Sequence, residues 1–275
     1  MAMRTYLRRI AERMSRGFVL RRRLPGEFLR LPLYVTPEAG LRYWSSLSKV
    51  DPHLLAMASE LVAPGSTVWD VGANVGLFTF ASAARAGSSG SILAIEPDVW
   101  LAQLLNRSAR RISRQHSAAA PVKVLCASIS SRNGVGELEI AERARASNHL
   151  SGISGSTQSG GHRQLQPTVV LTLDSLLENF PPPAVVKIDV ESHEAEVLRG
   201  AANLLQQVRP ALWCEVDPKN AECVSAQLFD SDYLMFGAAD VPHPPIKRAW
   251  WNTLAVPREK VAGKETALKL AAVAV

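Results

Sequence analysis

The sequence lacks an apolar run of the roughly 18 residues that a membrane-spanning helix needs. It also lacks an N-terminal apolar stretch leading to a small-residue cleavage site, so we predict no secretory signal peptide. Cysteine is scarce: there are three, Cys126, Cys214 and Cys223, with no CxxC pair. That count argues against a disulfide framework or a zinc site and indicates a reducing compartment. We therefore expect a cytoplasmic protein.

Positive charge is distributed unevenly along the chain. The formal net charge is +6, yet residues 1–30 alone hold nine Arg and two Glu. The remaining residues, 31–275, hold 22 basic and 23 acidic side chains and carry a net charge of −1. A nucleic-acid-binding body usually presents a basic face of its own. We therefore expect no nucleic-acid partner, although the Arg-rich start keeps an enzyme that acts on nucleic acid open as an alternative.

The first 30 residues have the pattern of a basic amphipathic extension. Apolar residues recur at helical spacing between Met3 and Phe18, arginines fill the opposite face, and a basic cluster follows at 21–23. Such a helix can lie on an anionic membrane, which would make the protein peripheral. The alternative, which we favour, is that residues 3–23 dock on the body of the protein or on a partner subunit.

The rest of the chain divides into a helical lead-in at 31–65, an α/β domain at 66–257 and a C-terminal tail at 258–275. In the lead-in, Thr36 and Asp51 each precede a proline, which predicts two short helices with these residues as N-caps.

Short apolar strands alternate with helical stretches from residue 66 onward. This alternation predicts an α/β fold of Rossmann-like type, with a mostly parallel sheet and helices on both faces. The predicted strands are 66–71, 91–96, 121–127, 184–190 and 211–216, closed by late strands at 232–236 and 250–256. The predicted helices are about 75–86, 98–114, 193–207 and 218–229. Residues 141–167 are rich in Ser, Gly, Arg and Gln and predict a long surface loop.

The strongest motif is the turn that follows the first of these strands, in VWDVGANVG. Gly72 and Gly76 allow a close backbone approach to a ligand, and Asn74 tolerates left-handed geometry. Glu96 ends the next strand, where a carboxylate can accept hydrogen bonds from both ribose hydroxyls. Together they indicate a cofactor that contains a nucleoside.

The chemistry of the turn separates two cofactor classes. A dinucleotide site needs glycine at three fixed positions, and Asn74 and Leu77 occupy the second and third. The acidic Asp70 would repel phosphates but suits a cofactor with a cationic amine, such as S-adenosylmethionine. An NAD-dependent oxidoreductase is therefore the weaker alternative.

With these motifs in place, the sequence resembles the FkbM-type methyltransferases, a branch of the class I S-adenosylmethionine-dependent enzymes. The resemblance rests on VWDVGANVGLFTF, AIEPD, LTLDSLL, VVKIDVESHEAEVLRGA and RPALWCEV across about residues 66–216, and extends to NTLAVP at 252–257. It implies a methyltransferase domain at 66–257 and O-methylation of a small molecule or glycan. The cofactor would be held at its methionine part by Asp70, Gly72, Asn74 and Gly76, at its ribose by Glu96 and at its adenine by Ser128.

One position departs from the family pattern. The usual block is KIDVEG, and Ser192 stands here in place of its final glycine. If that position requires a positive φ, Ser192 is strained.

A polar cluster around the fourth and fifth strands supplies candidates for the chemistry. A hydroxyl acceptor loses its proton as the new bond forms, which calls for a general base. The candidates are Asp189, our first choice, His193 and Glu215, while Lys187 is expected to be a structural partner of Asp189 or Glu215. Asp189 and Glu215 could instead hold a divalent metal, although the spacing supports no particular metal site. Glu191 would support the following helix.

The loop at 141–167 is expected to shape the acceptor pocket and to order when substrate binds. It would do so through Arg143, Arg145, Asn148 and Gln158 above the carboxyl edge of the sheet. The alternative is that this loop is a flexible insertion without a role in binding.

Besides the oxidoreductase and the enzyme that acts on nucleic acid, a further alternative for the whole protein is a non-enzymatic cofactor-binding scaffold, recruited to a membrane or partner by its first residues.

Overall fold

The computed structural model describes residues 12–152 and 161–262 of the chain. The strands are β1 Leu20–Arg23, β2 Pro32–Val35, β3 Thr67–Val71, β4 Ser91–Ile95, β5 Val122–Leu125, β6 Ser128–Ile129, β7 Gly134–Ala141, β8 His149–Leu150, β9 His162–Leu171, β10 Val185–Ile188, β11 Ala211–Cys214, β12 Tyr233–Gly237, β13 Pro245–Ile246 and β14 Thr253–Pro257. The α-helices are α1 Pro52–Leu61, α2 Leu77–Ala86, α3 Val99–Gln115, α4 Leu173–Leu176, α5 Glu194–Arg199, α6 Ala221–Asp230 and α7 Arg258–Ala262.

The main sheet has eight strands in the order β13, β12, β14, β11, β10, β3, β4, β5. Strands β11, β10, β3, β4 and β5 run parallel, and the late strands β14, β12 and β13 add antiparallel pairs at the other edge. The predicted α/β, Rossmann-like fold with a mostly parallel sheet is confirmed. The carboxyl ends of β3, β4 and β10 meet at one edge, where ligands bind in open α/β sheets.

Two apolar layers cover the two faces of the sheet, because successive strand side chains point in opposite directions. Val68 faces a core shared with α1, α2 and α3. Its neighbour Trp69 faces a second core shared with α5 and α6. Because both faces of the sheet are buried, the sequences of these strands are nearly continuous apolar runs.

The helix starts follow the capping residues in the sequence. The Asp51 carboxylate accepts a hydrogen bond from the backbone N–H of Leu54 at the start of α1, with Pro52 in the first helical position. Thr36 likewise accepts from the backbone of Glu38, but the element it starts, Pro37–Ala39, is a single 3-10 turn. The remainder of the lead-in contains two further 3-10 turns and the strand β2.

The predicted surface loop at 141–167 is wrong at both ends. Strand β7 runs to Ala141, and β9 begins at His162 and pairs with it antiparallel, in a four-stranded sheet of order β6, β9, β7, β8. The polar composition was misleading because much of β9 is exposed and carries polar side chains there. The connection between the two strands contains β8 and the 3-10 turn Arg145–Ser147.

Two predicted elements are shorter than expected. The strand predicted at 184–190 ends at Ile188, so Asp189 and Glu191 lie beyond it. The helix predicted at 193–207 breaks after Arg199 and resumes as the π-helical turn Leu204–Val208. At the break, a Cβ on Gly200 would lie 2.2 Å from the carbonyl oxygen of Ser130, so only glycine fits there.

The described part of the N-terminal extension docks on the body of the protein. Arg16 pairs with Glu142 at 2.8 Å, and Arg143 pairs with Glu12 at 3.3 Å. Residues 21–23 belong to β1, which pairs with β2 in a hairpin. The predicted amphipathic helix lies largely in residues 1–11, outside the described residues. No helix in the described parts of the chain is long and apolar enough to cross a membrane.

Candidate active site

The turn after β3 brings the backbone of the parallel strands into close contact. Gly72 has a φ of 78°, and a Cβ at this position would lie 1.9 Å from the carbonyl oxygen of Asp189. Asn74 adopts a left-handed φ of 52°. Gly76, with a φ of 91°, starts α2 at a point where a Cβ would collide with the side chains of Phe80 and Leu105. Gly72 and Gly76 therefore let the turn form, and Gly72 also lines the cavity beside it.

Glu96 ties this turn to the start of α3. Its Oε2 accepts the backbone N–H of Asn74 at 2.8 Å, and its Oε1 accepts that of Asp98 at 2.9 Å. The side chain is buried, and burial together with the charge of Asp98 raises the pKa of Glu96 to about 8. Glu96 thus lines the cavity, and its predicted contact with a ribose stays a prediction.

One cavity at the carboxyl edge collects most of the predicted site residues. Among the residues that line it are Gly72, Asn74, Glu96, Ser128, Asp189, His193 and Glu215. Its apolar wall, which the sequence reasoning did not identify, includes Ile95, Pro97, Leu101, Ile129, Leu138 and Leu150. These residues come from separate strands, from α3 and from the small sheet, so no single motif could have revealed the wall.

Asp70 and Gly76 do not line the cavity. The Asp70 carboxylate is fully buried, accepts a 2.5 Å hydrogen bond from the Thr79 hydroxyl and lies 3.2 Å from Nζ of Lys187. Asp70 therefore supports the turn from beneath, through a helix residue and a strand residue.

Lys187 lies between the buried Asp70 and the cavity residue Asp189. Its buried ammonium lies 3.1 Å from Oδ2 of Asp189 and donates to the carbonyl oxygen of Gly72 at 3.1 Å. Burial alone would lower the pKa of Lys187, but the carboxylates of Asp189, Asp70 and Glu215 raise it above its ordinary value. The predicted structural partnership of Lys187 with Asp189 is present.

Three carboxyl groups face the cavity beyond the ends of β10 and β11. Asp189 keeps 40% of its side chain exposed. The charge of Asp189, together with burial, raises the pKa of Glu215 well above its ordinary value. Burial and the charge of Asp189 likewise raise the pKa of Glu191 to about 7. Because their pKa values are raised, Glu191 and Glu215 can exchange a proton near neutral pH, as general acid–base chemistry requires.

His193 lies on the same cavity, just before α5. Its Nε2 is 2.8 Å from the hydroxyl oxygen of Ser130. Burial lowers the pKa of His193, which favours the neutral imidazole.

Ser192 adopts the left-handed conformation that the missing glycine predicted, with a φ of 62°. Its hydroxyl donates a 2.6 Å hydrogen bond to Oδ2 of Asp217, and its backbone N–H donates to Oε1 of Glu194. The side chain thus forms a contact that glycine could not.

The connection after β7 contributes to the cavity through Arg145 and Asn148. Both side chains donate to Oδ2 of the buried Asp98, at 2.5 Å and 2.8 Å. Arg145 also donates to Glu38 at 3.2 Å. Arg143 instead contacts Glu12, and Gln158 lies outside the described residues.

Asp98 is the polar residue that the sequence reasoning missed. Besides holding Arg145 and Asn148, it caps α3 by accepting the backbone N–H groups of Trp100 and Leu101. Its position as the last residue of the AIEPD block, before an amphipathic helix, was an available N-cap signal. Residues 12–152 and 161–262 contain no group of three or more His, Cys, Asp or Glu side chains arranged to hold a metal ion.

Comparison with known proteins finds a curated relative that is a methyltransferase. The hexuronic acid methyltransferase AglP of Haloferax volcanii is 29% identical over 172 residues, which are 61% of this chain and 64% of that protein. The chain thus spans a little under two thirds of the length of this relative.

Solved structures with a similar fold include a methyltransferase FkbM from Methylobacillus flagellatus, with a TM-score of 0.47 and 14% identity over 80% of this chain and 58% of that one. Another is the precorrin-6y C5,15-methyltransferase from Geobacter metallireducens, with a TM-score of 0.45 and 10% identity over 76% of this chain and 88% of that one.

The family described as the methyltransferase FkbM domain matches residues 70–232, which are more than half of the chain and contain every residue assigned above to the cavity. The protein therefore belongs to the FkbM methyltransferase family.

Proposed function

We propose that the protein transfers a methyl group from S-adenosylmethionine to a hydroxyl group of a glycan or a related small molecule. The observation that carries this proposal is one cavity, which is lined both by the turn after β3 with the Glu96 carboxylate and by the Asp189, Glu191 and Glu215 carboxyl groups. The first pair suits a nucleoside cofactor, and the second group suits a hydroxylated acceptor.

The residues present fit S-adenosylmethionine. The side-chain Oδ1 of Asn74 is buried and has no hydrogen-bond partner among the described residues. A buried acceptor without a donor is costly, and a hydroxyl or ammonium group of the cofactor would satisfy it. Glu96 would hold the ribose, while Pro97, Leu101 and Ile129 would contact the adenine together with Ser128. S-adenosylmethionine supplies a methyl group on a sulfonium, which is already activated for transfer.

The protein's task is then to orient the acceptor, exclude water and remove a proton. Proximity and orientation alone can supply roughly 7–11 kcal/mol. We assign the general base to Asp189, because it is exposed to the cavity and Lys187 holds its carboxylate in place. Glu215, whose pKa is raised first by the charge of Asp189, is the second candidate. His193 is the third, and Ser130 fixes the orientation of its ring.

The carboxyl groups that line the cavity limit the kind of acceptor that can bind there. Asp189, Glu191 and Glu215 favour hydroxyl donors and would repel an acceptor carboxylate placed next to them. The related AglP acts on a hexuronic acid, so a hexuronic acid is one candidate acceptor. Its carboxylate would have to point away from these residues, and His149 and Arg145, which also line the cavity, are the basic side chains that could receive it.

The location and contacts of the protein are also part of the proposal. We propose a cytoplasmic enzyme whose first residues act as an accessory segment, docked in part on the body through Arg16 and Glu12. Residues 3–23 would give this segment its peripheral membrane or protein contact, since basic amphipathic helices bind anionic membranes.

The proposal is tested by offering methyl-labelled S-adenosylmethionine to the protein with a panel of neutral hexoses, hexuronic acids and other hydroxylated metabolites. Labelled, methylated product that requires the protein supports it. Calorimetric titration with S-adenosylmethionine and with NAD separates the methyltransferase from the oxidoreductase alternative. Cofactor binding without turnover on any acceptor would favour the non-enzymatic scaffold.

A further inference from the structure

A second concave surface lies on α3, away from the active-site cavity. It is a groove lined by Tyr34, Arg107, Arg110, Arg111 and Arg114, with the amides of Gln103, Asn106 and Gln115. The cavity contacts α3 near Leu101, at the start of the helix. With a rise of 1.5 Å per residue, the arginines lie about 9–20 Å further along the helix.

The four arginines share one side of the helix, at spacings of three, four and seven residues. None of them forms an ion pair with a carboxylate in the described residues. Like charges at such spacings repel each other and weaken a helix. An anion bound between them would offset that repulsion.

Tyr34 on β2 organises two of these arginines. The guanidinium of Arg107 stacks 3.9 Å from the centroid of the Tyr34 ring, and Arg111 donates a 3.3 Å hydrogen bond to its hydroxyl. The backbone N–H of Tyr34 donates to the buried hydroxyl of Ser108, which fixes β2 against α3. The guanidinium planes are therefore held in place, which reduces the entropy lost when they bind a ligand.

The N-terminal hairpin extends the basic surface. Arg21 on β1 pairs with Tyr34 on β2, so the two side chains project from the same face of the hairpin. Arg23, two residues on, shares that face. Arg22 points the other way and donates to the carbonyl oxygens of Trp44 and Ser45. Two of the three arginines predicted as a separate basic cluster, Arg21 and Arg23, thus lie on the face of the hairpin that carries Tyr34.

We propose that the groove on α3 is a second ligand site, which binds a molecule carrying two or more phosphate groups through Arg107, Arg110, Arg111 and Arg114. Guanidinium groups match phosphate oxygens in charge and in bidentate geometry. The phosphate groups belong either to a free phosphorylated compound or to a lipid headgroup. The site is separate from the methyl-transfer cavity, so it does not depend on the function proposed above.

The size of the basic surface favours such a ligand over nucleic acid. The four arginines of α3 span only about 10 Å of helix. A protein that binds duplex nucleic acid strongly neutralises about six to ten phosphates along an extended face. Residues 31–275 carry no excess of positive charge to build one.

The test uses the full-length protein, with tripolyphosphate in calorimetry and, in sedimentation, phosphatidylcholine vesicles with or without cardiolipin, whose headgroup carries two phosphates. R110E/R114E reverses two exposed charges that have no partner in the described residues, and R110Q/R114Q removes them without adding acids. R132E/K247E is the matched control, since both side chains are exposed and do not line the groove. Circular dichroism and cofactor affinity confirm that each variant is folded.

We expect the wild type to bind tripolyphosphate, anionic vesicles or both, more weakly as salt rises. R110E/R114E should weaken this binding at least tenfold, R110Q/R114Q by less, and R132E/K247E hardly at all. Binding of tripolyphosphate alone identifies a free phosphorylated compound, and binding of anionic vesicles alone identifies a lipid headgroup. The proposal is overturned if the wild type binds neither probe, if the control variant loses as much binding as R110E/R114E, or if duplex nucleic acid is the only ligand bound.

Discussion

The ammonium of Lys187 lies 3.1 Å from Oδ2 of Asp189, the residue to which we assign the removal of the acceptor's proton. The same ammonium faces the buried carboxylate of Asp70 beneath the glycine turn. One buried lysine therefore connects the support of the glycine turn to the edge of the cavity that Asp189 lines.

Replacing Lys187 with methionine tests this connection. The change leaves Asp70 buried without its cationic partner, and breaking a buried ion pair in this way typically costs about 3–5 kcal/mol. We expect a loss of that size in the free energy of unfolding measured by urea denaturation. The exposed Lys49→Met is the matched control and should change stability little. A K187M variant as stable as the control would show that the pair contributes nothing to folding.

Asp189→Asn tests the assigned base. The change keeps the shape but removes the basic oxygen, so turnover should fall by roughly 10²-fold or more while cofactor affinity is retained. Steady-state kinetics with saturating cofactor and acceptor measure the first effect, and calorimetry measures the second. If the residue instead held a metal, a chelator would abolish wild-type activity and magnesium or manganese would restore it. A near-wild-type turnover number would move the assignment to His193 or Glu215.

Glu96→Ala tests the cofactor site. The change removes the proposed ribose acceptor and the two backbone hydrogen bonds from Asn74 and Asp98. We expect S-adenosylmethionine binding to weaken by about 1.5–3 kcal/mol, the range for hydrogen bonds to charged groups. Asp70→Asn should also weaken binding, through the turn that Asp70 supports. Unchanged calorimetric affinity in both variants would place the cofactor elsewhere.

The pH dependence of Glu96 gives an independent test. Its pKa is raised to about 8 in the folded protein, whereas an unfolded Glu titrates near about 4.3. Its contribution to stability is therefore fully present below about pH 4.3 and is lost as pH rises through about pH 8. The ionised form is the better hydroxyl acceptor, so cofactor affinity should instead increase from about pH 7 to about pH 9.

The matched variant for this test is Glu96→Gln, which keeps the size of the side chain but cannot titrate. Glu191 and Glu215 also titrate above their ordinary range, so only the difference between wild type and E96Q reports on Glu96. Calorimetric titrations across the pH range should show a steeper rise in affinity for the wild type. Parallel profiles for the two proteins would rule out an ionised Glu96 as a cofactor ligand.

Ser192 permits a test of backbone strain. Ser192→Ala keeps a Cβ at a φ of 62° and loses the hydrogen bond to Asp217, whereas Ser192→Gly loses the same bond but relieves the strain. A left-handed conformation costs a non-glycine residue roughly 1–2 kcal/mol. S192G should therefore be more stable than S192A by about that amount in urea denaturation. An S192A variant of equal or greater stability would show that the position is unstrained.

Arg145→Ala tests the role of the connection after β7. Arg145 lines the cavity and is fixed by Asp98 and Glu38, so its loss should loosen that wall. We expect the acceptor KM to rise about tenfold, the size of one lost charge-assisted contact, with little change in cofactor affinity. Arg143→Ala, which removes a contact to Glu12 outside the cavity, is the control. Equal KM values in the two variants would support the alternative that this segment only covers the surface.

Much of the fold could be predicted from the sequence because its signals are local. Apolar runs and caps such as Asp51 placed the parallel strands and most of the helices correctly. The small sheet was missed because β9 pairs with β7 across a polar segment, and a long-range pairing leaves no local pattern. The break after Arg199 was missed as well, since the close approach of Gly200 to Ser130 exists only in three dimensions.

The same distinction between local sequence signals and long-range contacts applies to the site. Glycines and carboxylates at the ends of strands could be assigned to one edge, because parallel strands bring those ends together. The sequence could not show that Asp70 faces the interior and Glu96 the cavity, since both are acidic residues near the carboxyl ends of predicted apolar strands. It also could not show that Tyr34 pairs with Arg21 across the hairpin and stacks with Arg107 of α3, because residues far apart in the chain form that surface.

Transfer of a labelled methyl group tests the central claim most directly. The protein is incubated with methyl-labelled S-adenosylmethionine and the panel of hydroxylated sugars, and mass spectrometry locates the label on the product. The account predicts a product methylated on a hydroxyl oxygen, formed by the wild type and reduced about 10²-fold or more by Asp189→Asn. Label on nitrogen or carbon, or equal product from wild type and D189N, would contradict it.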